Sequence, residues 1–234
     1  MLRFIFKSLI SLLILTTMTV DAGVVVSGTR VIYREDESEV TVKVTNKGRS
    51  PVLIQAWIDN GNQNIEPSKI KTPFMVTPPM NRINADKGQT LRISHINYET
   101  LPSDRESLFW LNVLEIPSIA PGEINKNKIQ VAFRTRIKLF YRPSGLKMNS
   151  ARAAESLQWS LNQGELSVHN SSPYHINLLN VKTGDGQSDI ALSMLKPFEK
   201  VTVSVINKRL DHGMQIHYRY INDYGSIKEV KTTI

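Results

Sequence analysis

Histidine is the side chain best suited to bind a metal or move a proton near neutral pH, and this chain has five: His95, His169, His175, His212 and His217. None sits in an HExxH or comparable ligand spacing. The separation of His212 and His217 places them on opposite faces of a strand rather than around one ion. Asp104 and Glu106 are a close acid pair of the kind that can share acid–base work. Arg105 stands between them and an apolar run follows, so the group reads as a structural ion pair. There is no GxSxG turn to expose a nucleophile and no phosphate loop; Gly184-Asp185-Gly186 lacks the third glycine and the helix, and reads as a turn. Asn170-Ser171-Ser172 matches a glycosylation sequon only by chance. With no cysteine in the chain, thiol catalysis and cysteine metal centres are excluded. These residues predict no enzyme, no metal site and no cofactor.

The chemistry that remains is ionic and apolar, and much of it lies on one run. Lys128 to Tyr141 contains no proline, glycine or turn signal. As a single strand at ~3.3 Å per residue it would reach about 45 Å, far beyond a typical strand of about six residues. Ile129, Val131, Phe133, Ile137, Leu139 and Tyr141 share one parity, and Arg134, Arg136 and Lys138 the other. By periodicity alone such apolar positions are ordinary core. At a sheet edge they would be an aggregation hazard unless a partner covered them. The three cations could serve an anionic ligand, but no aromatic platform is evident beside them, and nucleic acid is not expected as a partner.

The elements that must position this run also repeat with a period of two. Glu39 to Thr45 and Thr90 to Ile96 alternate polar and apolar residues, and Val52 to Ile58 and Leu108 to Ile116 are denser runs of β-formers. Turn signals separate them at Asn46-Lys47-Gly48, Asp59-Asn60-Gly61, Pro78-Pro79 and Asp86-Lys87-Gly88. Short strands at this spacing predict a β-sandwich. Arg142-Pro143-Ser144-Gly145 then interrupts the pattern, since proline cannot continue a central strand and glycine frees the backbone. A brief helical turn is predicted over Ala151–Leu157, followed by strands over Glu165–His169, Ile176–Val181, Lys200–Ile206, Gln215–Ile221 and Ile227–Thr232. The sequence shows no convincing internal repeat. It predicts an all-β protein with a first domain over 23–143 and a second over 144–234.

Residues 1–22 are of another kind. Arg3 and Lys7 precede the apolar run Leu9–Leu15, and Val20-Asp21-Ala22 ends in a small residue. This is the layout of a secretory signal peptide, too short in its apolar part to span about 30 Å of hydrocarbon, with cleavage expected after Ala22. The formal charge of +8 reads as solubility or as a preference for acidic partners.

Leu101-Pro102-Ser103-Asp104-Arg105-Glu106-Ser107-Leu108-Phe109-Trp110-Leu111-Asn112-Val113-Leu114-Glu115-Ile116-Pro117 closely resembles the signature of the periplasmic pilus (fimbrial) chaperones. Gly28-Thr29-Arg30, Ile137-Lys138-Leu139-Phe140-Tyr141-Arg142-Pro143 and Tyr220-Ile221-Asn222-Asp223-Tyr224-Gly225 match in the expected order, with Gln55-Ala56-Trp57-Ile58 and Thr77-Pro78-Pro79 besides. The resemblance is strongest over 24–143 and weak between 147 and 215. It implies two immunoglobulin-like β-sandwich domains in a boomerang, with pilus subunits bound in and beside the cleft. Chaperone–pilin donor-strand complementation is an established case of β-augmentation. The resemblance assigns Ile129, Val131 and Phe133 to the lent strand. It assigns Arg30 and Lys138 to the subunit's C-terminal carboxylate, and Glu106, Arg142 and Asp223 to an ion-pair set holding the domains. It also implies a periplasmic location and an outer-membrane usher as second partner, and leaves open whether the free protein caps itself as an oligomer. The short Ser118–Asn127 segment without flanking cysteines resembles the short-loop subclass. The runner-up reading is a structural immunoglobulin-like surface or pilus protein. Against it, a pilin would carry a donor extension at its mature N-terminus, whereas here the strand pattern starts at Val24 and runs on into a second domain.

Overall fold

The computed structural model describes residues 23–96, 100–119, 127, 129–162, 165–183, 189–203, 211 and 213–234. The expected leader over 1–22, the Gly184-Asp185-Gly186 turn, His212, Lys128 and most of the Ser118–Asn127 connection lie outside the described residues.

The first half contributes β1 (Val24–Val26), β2 (Arg30–Arg34), β3 (Glu39–Asn46), β4 (Val52–Asp59), β5 (Phe74–Thr77), β6 (Met80–Ile83), β7 (Gly88–His95), β8 (Ser107–Pro117) and β9 (Phe133–Arg142). They form two sheets, ordered β1-β3-β7-β5 and β2-β9-β8-β4-β6. The inward residues of alternating strands, among them Val42, Val44, Ile54, Leu91, Ile93, Leu111 and Leu139, close one core between the sheets. A short helix, α1 (Ser150–Glu155), follows the Pro143 break, and the Asn149 side chain caps it by accepting from the Arg152 N–H at 2.8 Å. The second half adds β10 (Gln158–Asn162), β11 (Glu165–His169), β12 (Ile176–Thr183), β13 (Asp189–Ala191), β14 (Met194–Leu195), β15 (Lys200–Val203), β16 (Gln215–Ile221) and β17 (Ile227–Thr233). These form sheets β10-β11-β15 and β13-β12-β16-β17, with β14 beside β12, around a second, separate core. The chain is therefore all-β in two sandwiches.

The first sheet pair has a defect that matters. The chain starts in one sheet, as β1 against β3, then crosses to the other, as β2 parallel to β9. The crossing is the turn Ser27-Gly28-Thr29, where Gly28 takes φ +83, a conformation that side chains resist. The parallel pairing runs only from Arg30↔Lys138 to Arg34↔Arg142. Between Phe133 and Ile137, β9 is paired with β8 on one side, and among the described residues no strand pairs with it on the other.

The run expected as one strand from Lys128 is shorter than predicted, because β9 begins at Phe133. The ladder with β8 ends at Glu115↔Phe133. Two residues further, β8 presents Pro117, which has no N–H to offer, and Ile129–Ala132 continue without a ladder. The shared parity also divides. Ile137, Leu139 and Tyr141 are buried in the first core, while Phe133, Val131 and Ile129 are 65%, 53% and 93% exposed.

The two sandwiches share one device that the sequence did not reveal as a repeat. Asn46, at the end of β3, donates its amide to the carbonyls of Ser50 (2.8 Å) and Ile83 (3.1 Å) and accepts from the Gly48 N–H. Asn170, just past β11, donates to the carbonyls of Tyr174 (2.7 Å) and Lys196 (2.8 Å) and accepts from the Ser172 N–H. Both are fully buried, so each satisfies carbonyls that water cannot reach. Asn170 is thus a structural plug, which agrees with its sequon being accidental.

Candidate functional site

Arg30 opens β2 and Lys138 lies directly across from it on β9. Their side chains leave the core face and reach toward the second sandwich. Arg30 Nη1 donates to the Ile221 carbonyl at 3.1 Å, and Lys138 Nζ donates to Asn177 Oδ1 at 2.6 Å. Burial lowers the pKa of both. For Arg30 the charge of Asp223 works against that shift, and for Lys138 the positive charge of Arg30 adds to it. Arg30 Nε is buried without a hydrogen-bond partner. Two desolvated cations side by side, with a donor to spare, favour an incoming anion.

Glu106, Arg142 and Asp223 lie together. Arg142 Nε donates to Glu106 Oε1 at 2.8 Å, while Nη1 and Nη2 grip Asp223 at 2.8 and 3.1 Å. Ser150 Oγ donates to the same Asp223 at 2.7 Å, and the second Glu106 oxygen accepts from the His175 N–H at 2.8 Å. Burial pushes Asp223 up, but the Arg142 hydrogen bonds and charge, with Ser150 and Arg30, outweigh it and hold the carboxyl below its usual range. Arg142 thus joins the residue leading into β8, the end of β9 and the β16–β17 turn, and with them the two sandwiches. Arg105 pairs with its exposed neighbour Asp104 at 2.7 Å, a structural ion pair as the local sequence suggested, while Glu106 turns inward to Arg142.

Arg134 and Arg136 of the run are already engaged. Arg136 forms a 2.6 Å bridge to the buried Asp59 and lies over the Trp110 ring at 4.1 Å, and Arg134 donates to the Gln63 carbonyl at 3.0 Å. Asn112 completes the Asp59 site at 2.7 Å. The expectation that no aromatic lies beside these charges is corrected here: Trp110 sits beneath Arg136 and within 5.8 Å of Lys138 Nζ. Cross-strand register brings it there, opposite Lys138, and neighbours in sequence could not show it. Among the described residues no group of His, Asp or Glu is arranged to hold a metal ion.

Sequence reasoning missed Asp59, Trp110, His175 and Asn177. Asp59 and Trp110 lay within segments singled out for other reasons. His175 and Asn177 act across the gap between sandwiches, and nothing local marks them.

Phe133 begins β9 at the end far from Lys138, and Val131 and Ile129 lie in the extension that leads into it; all three are exposed and without a covering element among the described residues. The site is a strip: the exposed apolar residues Ile129, Val131 and Phe133, the open side of β9 as far as Ile137, and the desolvated cation pair beyond it.

Comparison with known proteins gives this strip a context. Residues 23–147 match the family model for the pili and flagellar-assembly chaperone, PapD N-terminal domain, and residues 152–232 match that for the pili assembly chaperone PapD, C-terminal domain. The chain is 42% identical over 221 residues to the fimbrial chaperone YadV of Escherichia coli K12, covering 89% of this chain and 88% of that one. The YadV crystal structure superposes with a TM-score of 0.76 at 37% identity, over 91% of this chain and 100% of that one. Identity is also 42%, over 219 residues, to the chaperone protein FimB/FhaD of Bordetella pertussis, covering 91% and 88% of the two chains. The SafB chaperone of Salmonella enterica, solved in complex with the SafA pilin, superposes with a TM-score of 0.76 at 26% identity, over 93% and 99%.

Proposed function

The chain belongs to the pilus-assembly chaperone family, and from that premise we propose that it binds pilus subunits by lending them β9. The family is one of chaperones rather than enzymes, and a structural pilus component is the less favoured reading. The observation that carries the proposal is the open side of β9 from Phe133 to Ile137, continued by the exposed Val131 and Ile129.

A subunit strand laid along that edge completes the ladder with main-chain hydrogen bonds, which tolerate many sequences. The side chains of Ile129, Val131 and Phe133 enter an apolar groove on the subunit. Each contributes roughly 1.5–3 kcal/mol if fully buried there. The subunit's terminal carboxylate meets Arg30 and Lys138. That contact fixes the register, because a slip of one residue would turn each apolar side chain the wrong way. Glu106, Arg142 and Asp223 hold the two sandwiches so that the cations stay in line with the edge. The protein works in the periplasm after removal of residues 1–22, and hands subunits to an outer-membrane usher.

The test is co-purification of a subunit from periplasm with Arg30→Ala and Lys138→Ala variants. Circular dichroism establishes that each is folded. Removing one partner of a desolvated charge pair costs about 2–5 kcal/mol, so capture should weaken roughly 30-fold or more. Undiminished capture by both folded variants would overturn the mechanism.

A further inference from the structure

The two cleft cations are met from the second sandwich by groups that carry no charge. Arg30 and Lys138 are register partners on β2 and β9; Asn177 and Ile221 are register partners on β12 and β16. The two pairs face each other, Lys138 on the Asn177 side-chain oxygen and Arg30 on the Ile221 carbonyl. Asp223, the acid whose charge acts on Arg30, is occupied by Arg142 and Ser150. Asn177 is buried, and its amide oxygen lies 2.6 Å from the ammonium. An aspartate has nearly the same shape. At this position it would form a buried, charge-assisted pair with Lys138 and discharge the site from within.

We infer that Asn177 is a specificity-determining residue, whose neutral amide orients Lys138 without neutralising it and so keeps the Arg30–Lys138 pair available to a terminal carboxylate. The inference rests on reading that pair as a carboxylate site. It makes the second sandwich part of the anion site rather than a support for it, since both neutral acceptors come from there. Carboxylate capture and the seating of the two sandwiches are then one event: a shift that withdraws β12 and β16 releases both cations together.

The experiment uses a synthetic peptide of alternating apolar and polar residues with a free C-terminal carboxylate, and the same peptide amidated. Binding of each is measured to the mature protein and to Lys138→Ala, Asn177→Asp and Asn177→Leu. The Lys138 ammonium is titrated by NMR in parallel, a readout that a merely structural role would leave unmoved. The parent should prefer the acid over the amide by about 30-fold or more. Lys138→Ala and Asn177→Asp should both erase that preference, and Asn177→Asp should raise the pKa of the Lys138 ammonium. Asn177→Leu, which loses one neutral hydrogen bond, should reduce the preference roughly fivefold; it decides the matter if Asn177→Asp does not fold. A preference that survives Lys138→Ala overturns the carboxylate reading and the inference with it. A preference lost in Lys138→Ala but kept in full by the folded Asn177 variants overturns the inference alone.

Discussion

Several strands in the two sandwiches have one side unpaired among the described residues, and two of them, one from each sandwich, are built differently. In the second sandwich it is β17, which pairs only with β16. Its sequence from Ile227 to Thr233 places Lys228, Glu229 and Lys231 among its apolar residues, the charged design that keeps edges from pairing with foreign strands. In the first sandwich it is the N-terminal half of β9, where Arg134 and Arg136 are engaged by Gln63 and Asp59 of the same sandwich, preceded by Ile129, Gln130, Val131 and Ala132 without a single charge. The interiors are otherwise alike, down to the asparagine plugs at Asn46 and Asn170. An edge is therefore not exposed here through poor packing. The same architecture defends one edge and offers the other, and the crossing at Gly28, which takes β1 to the far sheet, decides which.

The strongest way to separate the two halves is Arg142→Ala. It leaves the buried Glu106 and the partly buried Asp223 without their shared cation. The expected loss is about 3–5 kcal/mol, with the two sandwiches of the variant melting in separate thermal transitions. Unchanged melting and abundance would show that they are not held by this set. Next in size is the contrast between edges. Val131→Asp puts a charge where the proposal places an apolar groove and should cost subunit capture roughly 30-fold or more. Ile227→Asp on β17 should cost nothing, and neither should Gln130→Ala, on the other parity of the lent strand. Equal losses from Val131→Asp and Ile227→Asp in a co-purification assay would erase the distinction drawn above.

A smaller effect tests the likeness of the interiors. Asn46→Ala and Asn170→Ala each strand buried carbonyls, at roughly 1–3 kcal/mol per unsatisfied group. Similar drops in denaturant midpoint are expected from both, and one silent variant would mean that the two plugs are not equivalent. The smallest effect is on pH. His95 packs among Tyr33, Phe74 and Tyr141, and burial lowers its pKa, with Glu35 opposing. A lowered histidine contributes stability that is present above its ordinary value near 6.5 and is lost as pH falls below it. Asp223, also lowered, contributes stability present above about 3.9 that is lost on further acidification. Melting temperature followed from pH 8 downward should fall first through the first sandwich, and His95→Phe should remove that first step.

Much of this was legible in the sequence, because period-two alternation reports which face is buried. Val52–Ile58, Glu165–His169 and Gln215–Ile221 fall within or coincide with observed strands. Short or sparsely patterned strands such as β1, β13 and β14 carry too few residues for a period to register. The parity of the long run was correct, yet parity could not tell that Leu139 is core and Phe133 is not. That depends on where β2 stops pairing, a property of the crossing at Gly28. The site divides in the same way. Arg30, Lys138, Glu106, Arg142 and Asp223 came from the family resemblance. Trp110 and Asn177 needed register across strands and across the gap.

The open edge of β9 also bears on the protein's survival. Proteases bind their substrates as extended strands, and the stretch from Ile129 to Phe133 is exposed and, among the described residues, has no ladder on its outer side. Chymotrypsin should cut after Phe133 in the empty chaperone while leaving both cores whole. A seated subunit would cover that bond, so the rate of this one cleavage counts the vacant molecules in a mixed population. A cell that makes more chaperone than cargo would be expected to lose the surplus first at this point.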